Sequence, residues 1–258
     1  MNTPRHGTWQ DNMDNAVLIG LSQQMALRNQ MTVIANNLAN VNTAGFKSGR
    51  LLFEEYLMPA SADNLPGTAD TKLSYVQDGA ILRDFVAGRM QRTDNPLDVA
   101  VGGKGWMVVQ TDAGERFTRN GNLSLRNDGT LITSAGHPVL TDGGPILIGQ
   151  DETDITIADD GTVSTSAGVK GRLRLVEFEN EQSLQKEGDS LYSSSDQPKP
   201  AERPRFVQGM VEGSNVQPVV EMTHMIEVQR AYTRTASIIQ RQDELMSNTI
   251  NKLGQAPS

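Results

Sequence analysis

The sequence predicts an α+β fold: a discontinuous, coiled-coil-like helical domain built from the two ends of the chain, with an antiparallel β-rich domain inserted between them. Three observations point to it. Near the C-terminus, Met225, Val228, Tyr232, Ile239, Met246 and Leu253 recur at spacings of three, four, seven, seven and seven, one apolar seam of a long helix on a near-heptad repeat. Near the N-terminus, Val17, Leu27, Met31, Ile34, Leu38 and Val41 share a second heptad frame, with Gly20 and Gln24 at the remaining positions. Between the two, apolar runs shorten and alternate, and Asn-Gly and Asp-Gly dipeptides punctuate them.

Residues 1–13 lack periodicity and mix Pro4 and Gly7 with polar side chains, so a disordered tail is expected there, and Met13 offers an alternative start. The helical domain is placed at 14–47 plus 212–258. Its first helix is predicted from about Asn15 to Ala39, with Asp14 or Asn15 as the cap and Leu21 and Met25 widening the apolar stripe. Asn36, Asn37, Asn40 and Asn42 crowd the end of this helix, although asparagine is a mediocre helix former. Either the C-terminus frays and is closed by Gly45, or the side-chain amides hydrogen-bond across to neighbouring chains and fix register. On the second view Asn36, Asn37, Asn40 and, on the other helix, Gln229 are polar register groups.

Residues 48–75 form a connector, in which Leu51, Leu52, Phe53, Tyr56 and Leu57 suit a short helix or an extended arm and 59–70 has loop composition. The β-rich domain is placed at 76–211. Candidate strands are Trp106–Gln110, Phe117–Arg119, Leu123–Leu125, Leu131–Thr133, Ile146–Ile148, Ile155–Ile157 and Leu173–Phe178. Turns are expected at Asp78-Gly79, Asn120-Gly121, Asp128-Gly129, Asp142-Gly143 and Asp160-Gly161, and the clearest hairpin runs from Leu123 to Leu131. No helical stretch of ~10–15 residues separates the strands, which argues against a βαβ arrangement. The last helix is predicted from Val219 to Leu253 without a proline or glycine break, about 50 Å long at ~1.5 Å per residue. Its other face carries Arg230, Arg234, Gln240, Arg241, Gln242, Asp243 and Glu244 and is wet.

Composition narrows the function. A formal net charge of −8 disfavours a nucleic-acid binder, which needs a basic surface. With no cysteine there is neither a disulfide framework nor a thiolate metal site. No apolar span approaches the ~18 residues of a membrane helix, so an integral membrane protein is not expected. The apolar run Ala16–Leu21 is too short for the h-region of a cleaved signal peptide.

Chemistry is sparse as well. Gly102-Gly-Lys-Gly105 lacks the phosphate-loop spacing and precedes a strand, so Gly103 serves a tight turn ahead of Trp106. His6, His137 and His224 are scattered and match no zinc-ligand spacing. There is no nucleophile elbow, and the acidic clusters near Asp151 and Asp159 lack the calcium-loop register. Asn122-Leu-Ser124 is a formal glycosylation sequon inside a predicted strand. No catalytic, cofactor-binding or metal residue is therefore assigned, no cofactor is expected, and the chain is not expected to be an enzyme. Two long helices in isolation cover one stripe each, and leftover apolar surface marks association sites. The interface residues are the seams: Val17, Leu27, Met31, Ile34, Leu38, Val41, Met225, Val228, Tyr232, Ile239, Met246 and Leu253.

Three segments resemble a known family. Ile34-Ala-Asn-Asn-Leu-Ala-Asn-Val-Asn-Thr-Ala-Gly-Phe-Lys47 resembles the N-terminal signature of the flagellar basal-body rod and hook proteins. Asn95-Pro-Leu-Asp-Val-Ala-Val-Gly-Gly-Lys-Gly-Trp-Met-Val-Val-Gln110 with Phe117-Thr-Arg-Asn-Gly-Asn122 is similar to the core of their β domain, departing at Met107, where an aromatic often stands. Gly213-Ser-Asn-Val-Gln-Pro-Val-Val-Glu-Met222 and Glu227-Val-Gln-Arg-Ala-Tyr232 resemble their C-terminal signature.

The resemblance implies a structural subunit of the rod, most similar to its proximal part, with the distal rod as the alternative. Its terminal helices would stack with those of other copies and of other rod proteins into the axial drive shaft. Export would run through the flagellar type III apparatus without a cleaved signal peptide, to a rod that spans the periplasm. Since a lone long helix is marginal, the ends are expected to be largely disordered in the free monomer. The rival from another class is a β-rich surface binding module on a coiled-coil stalk, which two Trp and four Tyr speak against.

Overall fold

The computed structural model describes residues 7–59 and 72–254, with side chains over 17–52 and 80–248. The chain divides into two units. One combines Met1–Leu38, Gly49–Leu82 and Pro218–Ser258; the other combines Ala39–Ser48 and Arg83–Gln217. The boundaries differ from those expected. Residues 39–48 and 212–217 go with the β unit, and 49–82 goes with the helices.

The helical unit contains helix α1 (Gly7–Ala39), strands β1 (Gly49–Pro59) and β2 (Lys72–Arg83), and helix α2 (Pro218–Gly254). Helix α1 starts earlier than expected. Residues 7–13 are helical and not a disordered tail, and Asp14 and Asn15 lie inside the helix rather than capping it. An apolar period is not required for this, because a nucleated helix propagates through further residues at little cost. Residues 1–6 lie outside the described set. Helix α2 spans its predicted range. Pro218 stands at its first position, where an absent N–H costs nothing, and Glu221 lies in the first turn, at the positive end of the dipole.

The connector is an extended arm: β1 and β2 pair as a two-stranded sheet. Asp78-Gly79 lies within β2 and makes no turn. Of the loop expected at 59–70, Pro59 ends β1 and the remainder falls outside the described residues.

The β unit is antiparallel throughout its strand pairs. Its main sheet has six strands in the spatial order Gln185–Gly188, Leu191–Ser193, Gly114–Thr118, Trp106–Thr111, Leu175–Glu177 and Lys199–Pro200. The strand Trp106–Thr111 does not alternate between core and solvent. Trp106 and Val108 pack with Phe117, Val176 and Tyr192, while Met107 and Val109 join Val99, Leu131 and Phe206 in a second cluster. A strand covered on both faces reads as a continuous apolar run, as Trp-Met-Val-Val does.

The Leu123–Leu131 hairpin forms as expected, with Leu125 opposite Leu131 and Gly129 at φ +84°. Ile146–Ile148 is not a regular strand; Leu147 makes a single bridge to Thr130 while Ile146 and Ile148 fill the core. Asn120-Gly121 is a close approach and not a hairpin turn: a Cβ on Gly121 would sit 1.6 Å from the Val99 carbonyl oxygen.

Candidate assembly site

In the helical unit, the two helices approach each other at points on the expected seams. Ile34 of α1 and Val228 of α2 are buried, and a Cβ added to Gly20 would lie 2.9 Å from Ile239 Cγ1. Val17, Leu27, Met31, Leu38, Met225, Tyr232, Ile239 and Met246 are half-buried. Val41 lies beyond the end of α1, in a turn of the β unit, so it belongs to no helical seam. The side chain of Leu253 is outside the described set.

Two seam positions on α2 escape a hydrophobic search because they are polar. Glu221 and Thr235 are buried one heptad either side of Val228. Thr235 hides its hydroxyl by donating to the Ala231 carbonyl at 3.1 Å. The signal that would have found both is the step of seven from Val228. On α1, small Ala26 is buried too.

Much apolar surface stays outside the pair. Leu18, Leu21 and Met25 on α1 are exposed, so Leu21 and Met25 do not widen the buried stripe. On α2 the exposed apolar side chains are Val219, Val220, Met222, Ile226, Ile238 and Leu245. Met25 is 65% exposed and Leu245 66%, among the most exposed of the large apolar side chains.

The polar register groups divide. Asn36 and Gln229 are exposed. Asn37 is buried and turned inward: its Nδ2 donates to the Gly49 carbonyl at 2.9 Å and its Oδ1 accepts the Gly49 N–H at 3.0 Å. That amide ties α1 to the start of β1 in its own chain. Asn40 sits past the helix end, where its Oδ1 accepts the Thr43 hydroxyl at 3.1 Å. A groove of about 330 Å³ beside Asn37's helix is lined by Val33, Ile34, Arg50, Glu221, His224 and Glu227 among others. Among the described residues no group of three or more His, Asp or Glu is placed to hold a metal ion, and no helix is long and apolar enough to cross a membrane.

In the β unit, the segment after α1 is drawn into the interior. Gly45 does not close the helix. It takes φ +67°, donates its N–H to the Glu212 carbonyl at 2.7 Å, and leaves no room for a Cβ, which would lie 2.4 Å from the Arg119 carbonyl carbon. Two residues on, Lys47 is fully buried with its Nζ 2.6 Å from Glu212 Oε1. Arg119 Nη1 reaches Glu212 Oε2 at 3.2 Å, and the guanidinium lies 5.4 Å over the Trp106 ring. Burial draws the Lys47 ammonium below its ordinary value, against the pull of Glu212. One carboxylate thus joins Lys47, Arg119 and its own strand Met210–Glu212, which lie in or beside the three signature segments. Sequence reasoning missed this centre, because a buried charge has no local signature.

A helix pair with exposed apolar side chains, a β unit that gathers Lys47 and Arg119 on one interior carboxylate, and no cluster of metal-ligand residues among the described residues fit a structural class of protein. Comparison with known proteins agrees. Residues 18–47 match the family model described as flagella basal body rod protein, 100–165 the flagellar hook protein FlgE/F/G D1 domain, and 207–253 the flagellar basal body rod FlgEFG protein C-terminal region. The chain is 40% identical to the flagellar basal-body rod protein FlgF of Caulobacter vibrioides, over 94% of this chain and 99% of that one. It is 35% identical to FlgF of Salmonella typhimurium over 90% of this chain and 95% of that one. With FlgG of Bacillus subtilis the identity is 32%, over 90% and 96%. The chain belongs to the family of flagellar basal-body rod proteins, structural components of the flagellar basal body.

Proposed function

We propose that this chain is a subunit of the proximal rod, polymerising through its terminal helices with copies of itself and with other flagellar rod proteins into the axial drive shaft. The observation that carries this is the apolar surface on α1 and α2 outside their own seam, which a second set of helices would cover. Heterologous contacts of that kind build open helical assemblies. FlgF relatives at high coverage favour the proximal rod, and FlgG relatives of similar coverage keep the distal rod as the second reading. In this account the chain leaves through the flagellar type III export apparatus without a cleaved signal peptide, to a rod crossing the periplasm. Its helices order fully only when neighbours cover them.

The test replaces Met25 or Ile238 by Glu. Both side chains are exposed, so the subunit keeps its fold and its cellular level. Each variant is expected to be missing from purified basal bodies and to fail to restore swimming. Incorporation at the wild-type level by both would end the proposal.

A further inference from the structure

The chain passes between its two units four times, at 38/39, 48/49, 82/83 and 217/218. Within the β unit, the residues beside the last three crossings converge on two side chains. Asn215 Oδ1 accepts the Ser48 N–H at 2.8 Å. Its Nδ2 donates to the Asp84 carbonyl at 2.7 Å and to the Val86 carbonyl at 3.2 Å, and its own N–H donates to the Phe46 carbonyl at 3.3 Å. The Asp84 N–H closes the ring on the Ser48 carbonyl at 2.9 Å. Glu212 repeats the pattern one layer deeper. Its Oε1 takes Lys47 Nζ at 2.6 Å and the Gly88 N–H at 2.9 Å, and the same Nζ donates to the Val86 carbonyl at 2.9 Å. The segments touch backbone to backbone: a Cβ on Gly88 would stand 1.9 Å from the Gly213 carbonyl oxygen.

We propose that Asn215 and Glu212 form a mechanical clamp that gathers the three segments into one bundle, so that force entering along any of them is shared by all. A chain that only needed a stable β fold could tie each segment separately. Here one amide holds three segments, and one carboxylate holds the same three again. Each bond is modest at equilibrium, where water competes for the same groups. In the clamp, tension on one segment is carried by the bonds to all three, which then share it and break together. The inference goes beyond the assembly proposal. It uses contacts inside the β unit alone and stands whether or not the helices polymerise as described.

The experiment uses the full chain, which has no native cysteine, with Arg50→Cys and Gln217→Cys as handles for single-molecule pulling. Asn215→Ala is expected to lower the force that opens the molecule between the handles by at least twofold. It leaves the thermal midpoint of the β unit, followed by Trp106 fluorescence in a Trp9→Phe background, essentially in place. An unchanged force overturns the clamp. A midpoint that falls as steeply as the force overturns it too, because Asn215 would then be an ordinary stabilising residue. Asn215→Asp keeps the Ser48 bond and loses both amide donations, and is expected to give an intermediate force if the alanine variant does not fold. In the wild type, the amides of Ser48, Asp84 and Gly88 are expected to share one opening free energy in deuterium exchange, after correction for their intrinsic rates; three unrelated opening free energies would refute the proposal.

Discussion

Glu212 illustrates what one residue does for this chain. Its carboxylate is wholly buried, and two cations and a backbone N–H share it. Removing one partner from such a cluster leaves a charge uncompensated, at a cost of about 3–5 kcal/mol. Lys47→Met is expected to lose stability on that scale in urea denaturation read at Trp106, with the remaining Arg119 contact holding it near the lower end. A loss under ~1 kcal/mol would show that Arg119 neutralises Glu212 alone.

A second lysine sets a pH dependence. Lys186 Nζ lies 3.9 Å over the Phe46 ring, and burial, with Arg83 a smaller cause, pulls its pKa down to about 8. Between about 8 and the ordinary value of 10.5 the unfolded chain keeps a proton that the folded chain has released. Stability therefore rises with pH through that window, and Lys47, shifted the same way, adds to the slope. Lys186→Met is expected to flatten the rise in denaturation midpoint between neutral pH and the top of the window. An unaltered slope would assign the rise to other groups.

At the scale of elements, the helix pair is closely fitted at Gly20. Gly20 admits Ile239, yet a glycine inside a helix costs about 1 kcal/mol relative to alanine. Gly20→Ala should therefore be near neutral alone, since the gain in helix propensity is offset by displacing Ile239. Combined with Ile239→Ala, which removes both the Cγ1 and the Cδ1 that it meets, the same change should be tolerated better than the sum of the single effects on the helical melting temperature. Additivity in that double-mutant cycle would place the close approach elsewhere. Along α2, Thr223, Thr233, Thr235 and Ser237 all donate to carbonyls four residues back, which lets a polar helix present a drier face. Asn37 makes the opposite use of polarity, spending its amide on Gly49.

For the whole molecule, the division into two units has a thermodynamic consequence. The β unit holds both buried apolar clusters, one mainly aliphatic and one rich in aromatics, and nearly all the fully buried side chains among the described residues, whereas the helices keep many large apolar groups in water. Urea unfolding of the dilute chain is expected in two phases, with the helical circular-dichroism signal lost before Trp106 fluorescence changes in a Trp9→Phe background. A single coincident transition would mean that the helices are stabilised as strongly as the sheet, and would weaken the proposed ordering on assembly.

Much of this architecture is written locally. Seams at Met225–Met246 and Leu27–Ile34 follow from a spacing along the chain, and Asp128-Gly129 or Asp160-Gly161 mark turns through a backbone preference of two residues. The sequence by itself determined the two helices, the antiparallel class of the insert and the family. Only the tertiary structure decided that Gly45 is a point of close approach and not a cap, that 39–48 belongs with the sheet, that Asn37 faces inward, and that Lys47 meets Glu212 across 165 positions. The physical reason is range. Periodicity and turn preference are properties of neighbouring residues, whereas a buried charge is compatible with the fold only because distant segments converge on it.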